Sequence, residues 1–149
     1  MNKPILAVMI GISGSGKSTY ANGLKTSLKA DLVETDAIRE ELTGDASDQS
    51  QNYKVFQVAK KRVNDLLSQG KNAIIDATSV SVRDRKDWIQ IGRDNNAEVR
   101  AYFIDTPIDV CKSQNRKRQR RVPDEVIDRQ ASRLESPTKA EGFDTVTVV

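Results

Sequence analysis

The most constraining feature of the sequence is a glycine-rich segment, GISGSGKS, at residues 11–18. It matches the pattern G-x-x-x-x-G-K-S/T at every fixed position. An apolar run over residues 4–10 precedes it and an expected helix over residues 18–28 follows it, which is the strand–loop–helix setting that the pattern requires. Because glycines let the backbone bend closely around an anion, the segment predicts a phosphate-binding loop (P-loop).

The other residues of this loop predict a site for ATP with Mg²⁺. We expect Lys17 to reach the β and γ phosphates and the Ser18 hydroxyl to coordinate Mg²⁺. Thr19 is a further candidate for contact with a phosphate oxygen. The predicted nucleotide-binding residues of the loop are Gly11, Ser13, Gly14, Ser15, Gly16, Lys17, Ser18 and Thr19.

Strand and helix patterns alternate along the rest of the chain. Predicted strands cover residues 4–10, 32–35, 73–76, 99–105 and 146–149, and predicted helices cover 18–28, 36–42, 55–67, 81–95, 108–118 and 123–134. This alternation predicts an α/β fold of three layers, α/β/α, with a central parallel sheet of about five strands. We expect residues 1–149 to form one domain, with ligands at the carboxyl ends of the strands.

Two helices carry specific expectations about their side chains. Residues 81–95 are predicted to turn Trp88 and Ile91 inwards, and a second set towards solvent: Arg83, Asp84, Arg85 and Asp87. The segment 45–52 is predicted to be a loop. Of the few aromatic rings, most are expected in the core, and Tyr53 is the one to test for stacking on a base.

The composition excludes several kinds of site. The chain has no histidine, so histidine triads and histidine-ligated zinc are excluded, and any general base is a carboxylate, lysine, tyrosine or cysteine. Its one cysteine, Cys111, is interpreted as a small apolar filler. No apolar run is long enough to span a bilayer and no secretory signal is recognisable, so we expect a cytoplasmic protein with no membrane partner and no obligate protein partner.

Two aspartates lie where strands are predicted to end. Asp36, with Arg39 three residues later, is placed to deprotonate an attacking hydroxyl while the guanidinium holds an anionic acceptor. The alternative is an N-cap and a surface charge. Asp76, which follows an apolar strand, is a candidate ligand of Mg²⁺ or of its waters, or else a cap or turn residue.

A strongly basic segment lies between the last two predicted helices. Six of the ten residues 112–121 are basic, and we expect residues 112–123 to form a helical lid over the phosphates. Arg118 and Arg120 are the best candidates to neutralise the transferring group, with Arg116 behind them. The alternative is a solvated helix end.

Taken together, four motifs resemble the 5′-polynucleotide kinase family, whose P-loop kinase module is of the AAA type. They are GISGSGKST, the D-x-x-R of Asp36 to Arg39, IIDAT at residues 74–78 and the N-x-x-R that leads into Val122 and Pro123. Their order matches along nearly the whole chain. The tail RLESPTKAEGF and the last short strand are similar as well.

The resemblance implies an ATP-dependent kinase whose acceptor is the 5′-hydroxyl of RNA or DNA. It assigns Asp36 as the general base, Arg39 as the contact to the acceptor's 3′ phosphate, and Arg118, counted from Asn115, as the lid arginine. Gln114 departs from the family, because many relatives have arginine there. The pattern is shared loosely with small-molecule kinases and zeta-type toxin kinases. A kinase for a small metabolite or nucleotide sugar, and a regulatory module that binds ATP without transfer, are therefore the alternatives.

Overall fold

The computed structural model describes residues 3–119 and 121–149. Five strands form one sheet in the order β2-β3-β1-β4-β5, and every neighbouring pair is parallel. The strands are β1 (Ile5–Ile10), β2 (Ala30–Glu34), β3 (Asn72–Asp76), β4 (Glu98–Phe103) and β5 (Thr145–Val148). The predicted parallel sheet is confirmed.

Within residues 3–119 and 121–149, six α-helices connect these strands, with short 3₁₀ turns at Gln49–Gln51 and Lys139–Glu141. They are α1 (Lys17–Ser27), α2 (Thr35–Thr43), α3 (Asn52–Ser68), α4 (Val82–Asp94), α5 (Ile108–Arg116) and α6 (Asp124–Arg133). No helix within the described residues has the length and apolar character needed to cross a bilayer.

Alternation along β1 distributes the helices over both faces of the sheet. Leu6, Val8 and Ile10 pack in one core with side chains of α3 and α4, whereas Ala7 and Met9 pack in a second core with side chains of α1. Successive side chains of a strand point to opposite faces, and both faces of a parallel sheet are normally covered. The predicted three layers follow from this pattern.

A third apolar cluster lies at α5 and α6, the two helices on either side of the predicted lid and here named the lid helices. Ile12, Val80, Cys111 and Ile127 are buried together. The Cys111 side chain is fully buried, and burial raises the pKa of its thiol. This environment matches the apolar filler predicted for Cys111.

Some predicted boundaries and one orientation were wrong. The helix that carries Asp36 begins at Thr35, so Asp36 lies in its first turn and is not its N-cap. Within the segment expected to be a loop, a 3₁₀ turn forms and Asn52 already begins α3. Arg85, predicted to face solvent, is fully buried, because it lies three residues before Trp88 and therefore on the same inward side of α4.

Candidate active site

The P-loop connects β1 to α1 at the carboxyl edge of the sheet. Gly14 and Gly16 have φ angles of +83° and +92°, values that residues with a Cβ rarely adopt. A Cβ on Gly14 would also collide with the backbone carbonyl of Cys111 on α5. The glycines therefore serve both the bend of the loop and its close contact with the lid helices.

Helix α1 begins immediately after this loop and directs its N-terminus towards it. Its first turn contains no acidic side chain, so the positive end of the helix dipole is not neutralised locally. An anion at this position would be stabilised by free backbone N–H groups. All predicted loop residues from Ser13 to Thr19 line the adjoining cleft, whereas Gly11 is buried behind it and donates its N–H to the carbonyl of Thr78 at 3.1 Å.

Lys17, Ser18 and Asp76 form one hydrogen-bonded cluster. Asp76 ends β3, the strand beside β1, and its side chain is 3% exposed. Lys17 Nζ lies 2.8 Å from one of its carboxylate oxygens, and Ser18 Oγ donates to the other at 2.9 Å. The sheet register thus brings together the three side chains that the sequence assigned to phosphate and metal binding.

The residues present fit a triphosphate with Mg²⁺. Two buried hydroxyls that line the cleft, Ser15 Oγ and Ser79 Oγ, have no partner among the described residues, and buried polar groups normally have one. Ser18 and Asp76 offer oxygen ligands, which Mg²⁺ prefers. In the described part of the chain, no group of three or more histidine, cysteine or acidic residues is placed to hold a metal ion.

Asp36 and Arg39 form a second pair on the same cleft. Arg39 Nη1 lies 2.7 Å from Asp36 Oδ1, and the Asp36 side chain is 56% exposed whereas that of Arg39 is 6% exposed. Asn52, the first residue of α3, accepts two further hydrogen bonds from Arg39, from Nε at 3.2 Å and from Nη2 at 3.0 Å. Arg39 is therefore fixed on two sides, and the free surface of Asp36 faces the cleft.

The order of the strands sets the spacing between Asp36 and the P-loop. Asp36 follows β2 and Gly11 follows β1, with β3 and its Asp76 between them. Because neighbouring strands lie about 4.8 Å apart, the ends of β2 and β1 are separated by about 10 Å. The cleft that both groups line has a volume of about 1150 Å³, which exceeds the usual range for a single small-molecule site.

Asn115 contacts Val122 within the segment that was predicted to form a lid, residues 112–123. This side chain is buried, and its amide exchanges two hydrogen bonds with the backbone of Val122, at 2.7 and 3.2 Å. Arg118 and Arg121 line the cleft, whereas Arg116 pairs with Asp124 at 2.9 Å and does not line it. Arg120 lies outside the described residues.

The structure adds residues that sequence reasoning missed. Gln130 of α6 accepts a hydrogen bond from the Ser13 N–H at 2.8 Å and donates one to Ser13 Oγ at 3.1 Å, which links the P-loop to the lid helices. Arg129 and Arg133 of the same helix also line the cleft. Their spacing of four residues in the sequence placed them on one side of a helix, but it did not show that this side faces the P-loop.

Comparison with known proteins shows which family this architecture represents. A family model described as AAA domain matches residues 6–137. The chain belongs to the AAA domain family. Proteins similar to it include kinases, and the polynucleotide kinases among them confirm the resemblance found in the motifs.

Two relatives illustrate the range of acceptors within this P-loop kinase family. An adenylyl-sulfate kinase of Buchnera aphidicola is 33% identical over 78% of this chain and 59% of its own. A bifunctional polynucleotide phosphatase/kinase of Schizosaccharomyces pombe is 24% identical over 97% of this chain and 33% of its own. The chain thus spans between a third and about three fifths of the length of these two relatives.

Solved structures agree with the P-loop kinase fold. One chain of the Pnkp1/Rnl/Hen1 RNA repair complex superimposes with a TM-score of 0.79 at 26% identity, over 90% of this chain and 45% of that chain. The APS kinase CysC of Mycobacterium tuberculosis superimposes with a TM-score of 0.70 at 18% identity, over 99% of this chain and 90% of that chain. The second likeness is one of fold alone.

Proposed function

We propose that this P-loop kinase domain transfers the γ phosphate of ATP to the 5′-hydroxyl of a polynucleotide. The observation that carries the proposal is the Asp36–Arg39 pair, a cleft-facing carboxylate held by a buried guanidinium beside the P-loop. A domain that only binds a nucleotide does not need such a pair. A transferase needs both of its members, one to activate a hydroxyl and one to position its carrier.

In the proposed reaction, Asp36 accepts the proton of the acceptor hydroxyl as its oxygen forms a bond to the γ phosphorus. The bond between that phosphorus and the oxygen that bridges to the β phosphate breaks, and ADP leaves with the electron pair. Arg39 holds an anionic group of the acceptor and keeps Asp36 in place. Phosphoryl transfer depends mainly on such positioning and on stabilisation of charge.

The phosphate side of the site is proposed to be Lys17, the P-loop amides and Arg118. Mg²⁺, held by Ser18 and Asp76, would neutralise charge on the phosphates when it is bound. Lys17, which lies against Asp76 in this structure, is placed to contact the phosphates from the same position. Arg118 is the proposed lid arginine, and Arg120 stays a prediction from the sequence.

Two observations support a polynucleotide as the acceptor. The cleft of about 1150 Å³ has room for a second ligand beside a nucleotide. The similarity to the polynucleotide phosphatase/kinase covers 97% of this chain, including the segments of α2 and of the lid.

We likewise propose that the protein is located in the cytoplasm.

A second candidate is phosphorylation of adenylyl sulfate. The 33% identity to an adenylyl-sulfate kinase favours it, and Arg39 would suit the anionic groups of that small nucleotide as well. It differs from the first candidate in the size of the acceptor.

The deciding experiment offers γ-labelled ATP and Mg²⁺ with three acceptors in parallel: a 5′-hydroxyl RNA octamer, a 5′-hydroxyl DNA octamer and adenylyl sulfate. The proposal expects label on an octamer with a kcat/KM well above that for adenylyl sulfate. Label on adenylyl sulfate alone would replace it with the second candidate.

The role of Asp36 is tested with Asp36→Asn, and with Asp31→Asn as a matched control because Asp31 is exposed on β2 outside the cleft. Loss of a general base commonly costs 10²- to 10⁴-fold in rate, so we expect kcat to fall by about 10³-fold, while the Kd for ATP changes less than about threefold. An equal loss of ATP binding would show that Asp36 does not act specifically on the acceptor.

A further inference from the structure

The lining of the cleft has more basic than acidic side chains. Among the described residues, the cleft lining contains eight basic and five acidic side chains. This excess of three equals the net charge of +3 for the whole chain. The charges of the rest of the sequence therefore sum to zero, and the excess of positive charge in the cleft lining attracts polyanions.

Much of this excess comes from three arginines that the proposed transfer does not use. Arg83 lies in the first turn of α4, and Arg129 and Arg133 lie one turn apart on α6. All three are exposed and line the cleft. None of them takes part in an ion pair between described residues, whereas Lys17, Arg39 and Lys60 in the same lining each pair with an aspartate.

The packing of α6 directs its two arginines into the cleft. Ile127, Ala131 and Leu134 pack in the apolar cluster beneath the lid. Gln130 of the same helix reaches Ser13 of the P-loop. Arg129 and Arg133, four residues apart, lie on the side of α6 opposite the apolar residues, and both line the cleft.

Hydrogen bonds join the end of α6 to the beginning of α4. The Glu135 N–H donates to the carbonyl of Val80 at 2.8 Å, and Glu135 Oε1 accepts from the N–H of Val82 at 3.2 Å. Arg133 lies two residues before Glu135 and Arg83 one residue after Val82. The ends of the helices that carry Arg133 and Arg83 are thus joined beside the cleft, and Arg129 lies one turn before Arg133.

From this arrangement we infer that Arg83, Arg129 and Arg133 form a subsite for the phosphodiester backbone of a single-stranded polynucleotide, beyond the phosphate that Arg39 would hold. Three like charges that line one cleft repel one another in the free protein, and successive phosphates of a bound strand relieve that repulsion. Guanidinium groups bind phosphate oxygens through paired hydrogen bonds. The inference rests on the proposed function, and it names the protein residues that contact the polynucleotide beyond its 5′ end.

The test compares the triple variant Arg83→Gln, Arg129→Gln, Arg133→Gln with a matched triple variant, Lys25→Gln, Lys71→Gln, Lys86→Gln. The lysines are exposed and lie outside the cleft, so both variants lose three positive charges. Circular dichroism confirms that each variant is folded. Binding is measured by fluorescence anisotropy with a 3′-labelled, 5′-hydroxyl octanucleotide, as RNA and as DNA, at several salt concentrations.

We expect the arginine variant to raise the Kd for the octanucleotide at least tenfold. Each contact to a single-stranded phosphate contributes about 0.7 to the magnitude of the slope of log K against log salt concentration. Because the arginine variant loses three such contacts, the magnitude of its slope should be smaller than that of the wild type by about 2. The ratio of kcat/KM for the octanucleotide to that for a nucleoside 3′-phosphate should fall at least tenfold. The lysine variant should leave all three quantities within about twofold of the wild type.

The outcomes separate the inference from the proposed function. If the wild type binds the octanucleotide and the arginine variant does not, yet neither transfers phosphate to any acceptor, the subsite stands and the proposed function fails. If the wild type does not bind the octanucleotide, or if both triple variants weaken binding equally, the subsite is overturned, even where adenylyl sulfate or a nucleoside 3′-phosphate is phosphorylated.

Discussion

Arg85 and Glu141 form an ion pair in the interior of the protein, with side chains that are 0% and 6% exposed. Two nitrogens of the guanidinium bind the two carboxylate oxygens at 2.8 and 3.0 Å. The third nitrogen donates to the carbonyls of Ser79, Val80 and Glu135. One side chain of α4 thereby holds the cleft-lining loop after β3 against the C-terminal segment.

Arg85→Met is expected to lower the free energy of unfolding by about 3–5 kcal/mol, because it leaves the buried Glu141 carboxylate without its cationic partner. Chemical denaturation measures the change. Arg93→Met is the matched control, since Arg93 pairs with Asp144 where both side chains are about 40% exposed, and such a pair contributes at most about 1 kcal/mol. Equal effects of the two substitutions would show that the interior pair does not hold the loop.

Asn52→Ala is expected to weaken the acceptor site without affecting the nucleotide site. It removes two hydrogen bonds from Arg39, and bonds to charged groups contribute about 1.5–3 kcal/mol. We therefore expect kcat/KM for the acceptor to fall at least about tenfold, while the Kd for ATP stays within twofold. Gln57→Ala, at an exposed position of the same helix, should change neither quantity; an unchanged kcat/KM in Asn52→Ala would mean that Asp36 alone positions Arg39.

Gly14→Ala and Gly16→Ala separate backbone strain from collision. Both positions have positive φ, which costs a residue with a Cβ about 1–2 kcal/mol, but only at position 14 does a new methyl group meet the backbone of α5. We expect Gly14→Ala to lower the free energy of unfolding of the nucleotide-free protein clearly more than Gly16→Ala does. Comparable losses in thermal or chemical unfolding would show that the P-loop moves away from α5 at little cost.

Asp144→Asn should have an effect on stability that depends on pH. The N–H of Val99 lowers the pKa of Asp144 below its ordinary value of 3.8, and Arg93 lowers it further against the opposing effect of desolvation. A lowered pKa in the folded state means that the carboxylate stabilises the fold above pH 3.8 and loses this contribution as the pH falls further. Unfolding at pH 6 should therefore separate the variant from the wild type more than unfolding at pH 3, and a difference that grows on acidification would contradict the assignment.

The P-loop and the parallel sheet could be predicted from local sequence. Residues 11–18 fit a pattern whose spacing is dictated by the geometry of the loop itself. Along the chain, short apolar runs alternate with segments of helical periodicity, which is the pattern of buried strands and amphipathic helices. Asp36 and Asp76 could be nominated because each follows such a run.

Other parts of the site could not be predicted in this way. Arg85 was assigned to solvent together with its charged neighbours, but it shares the inward side of α4 with Trp88 and pairs there with Glu141, 56 residues later. Asn52 was assigned to a loop, although it orients Arg39. Gln130 gave no local signal at all, since its partner Ser13 is 117 residues away in the chain.

By itself, the sequence determined the kind of fold, the location of the phosphate-binding loop and the carboxylates that follow the strands, because these depend on periodicity and on backbone geometry over a few residues. Only the tertiary structure decided which side chains come together at the cleft: the Asn52–Arg39 contact, the Gln130–Ser13 contact and the presence of Arg83, Arg129 and Arg133 in one lining. Such meetings depend on how helices far apart in the chain pack over the sheet, and that packing energy is not contained in any single segment.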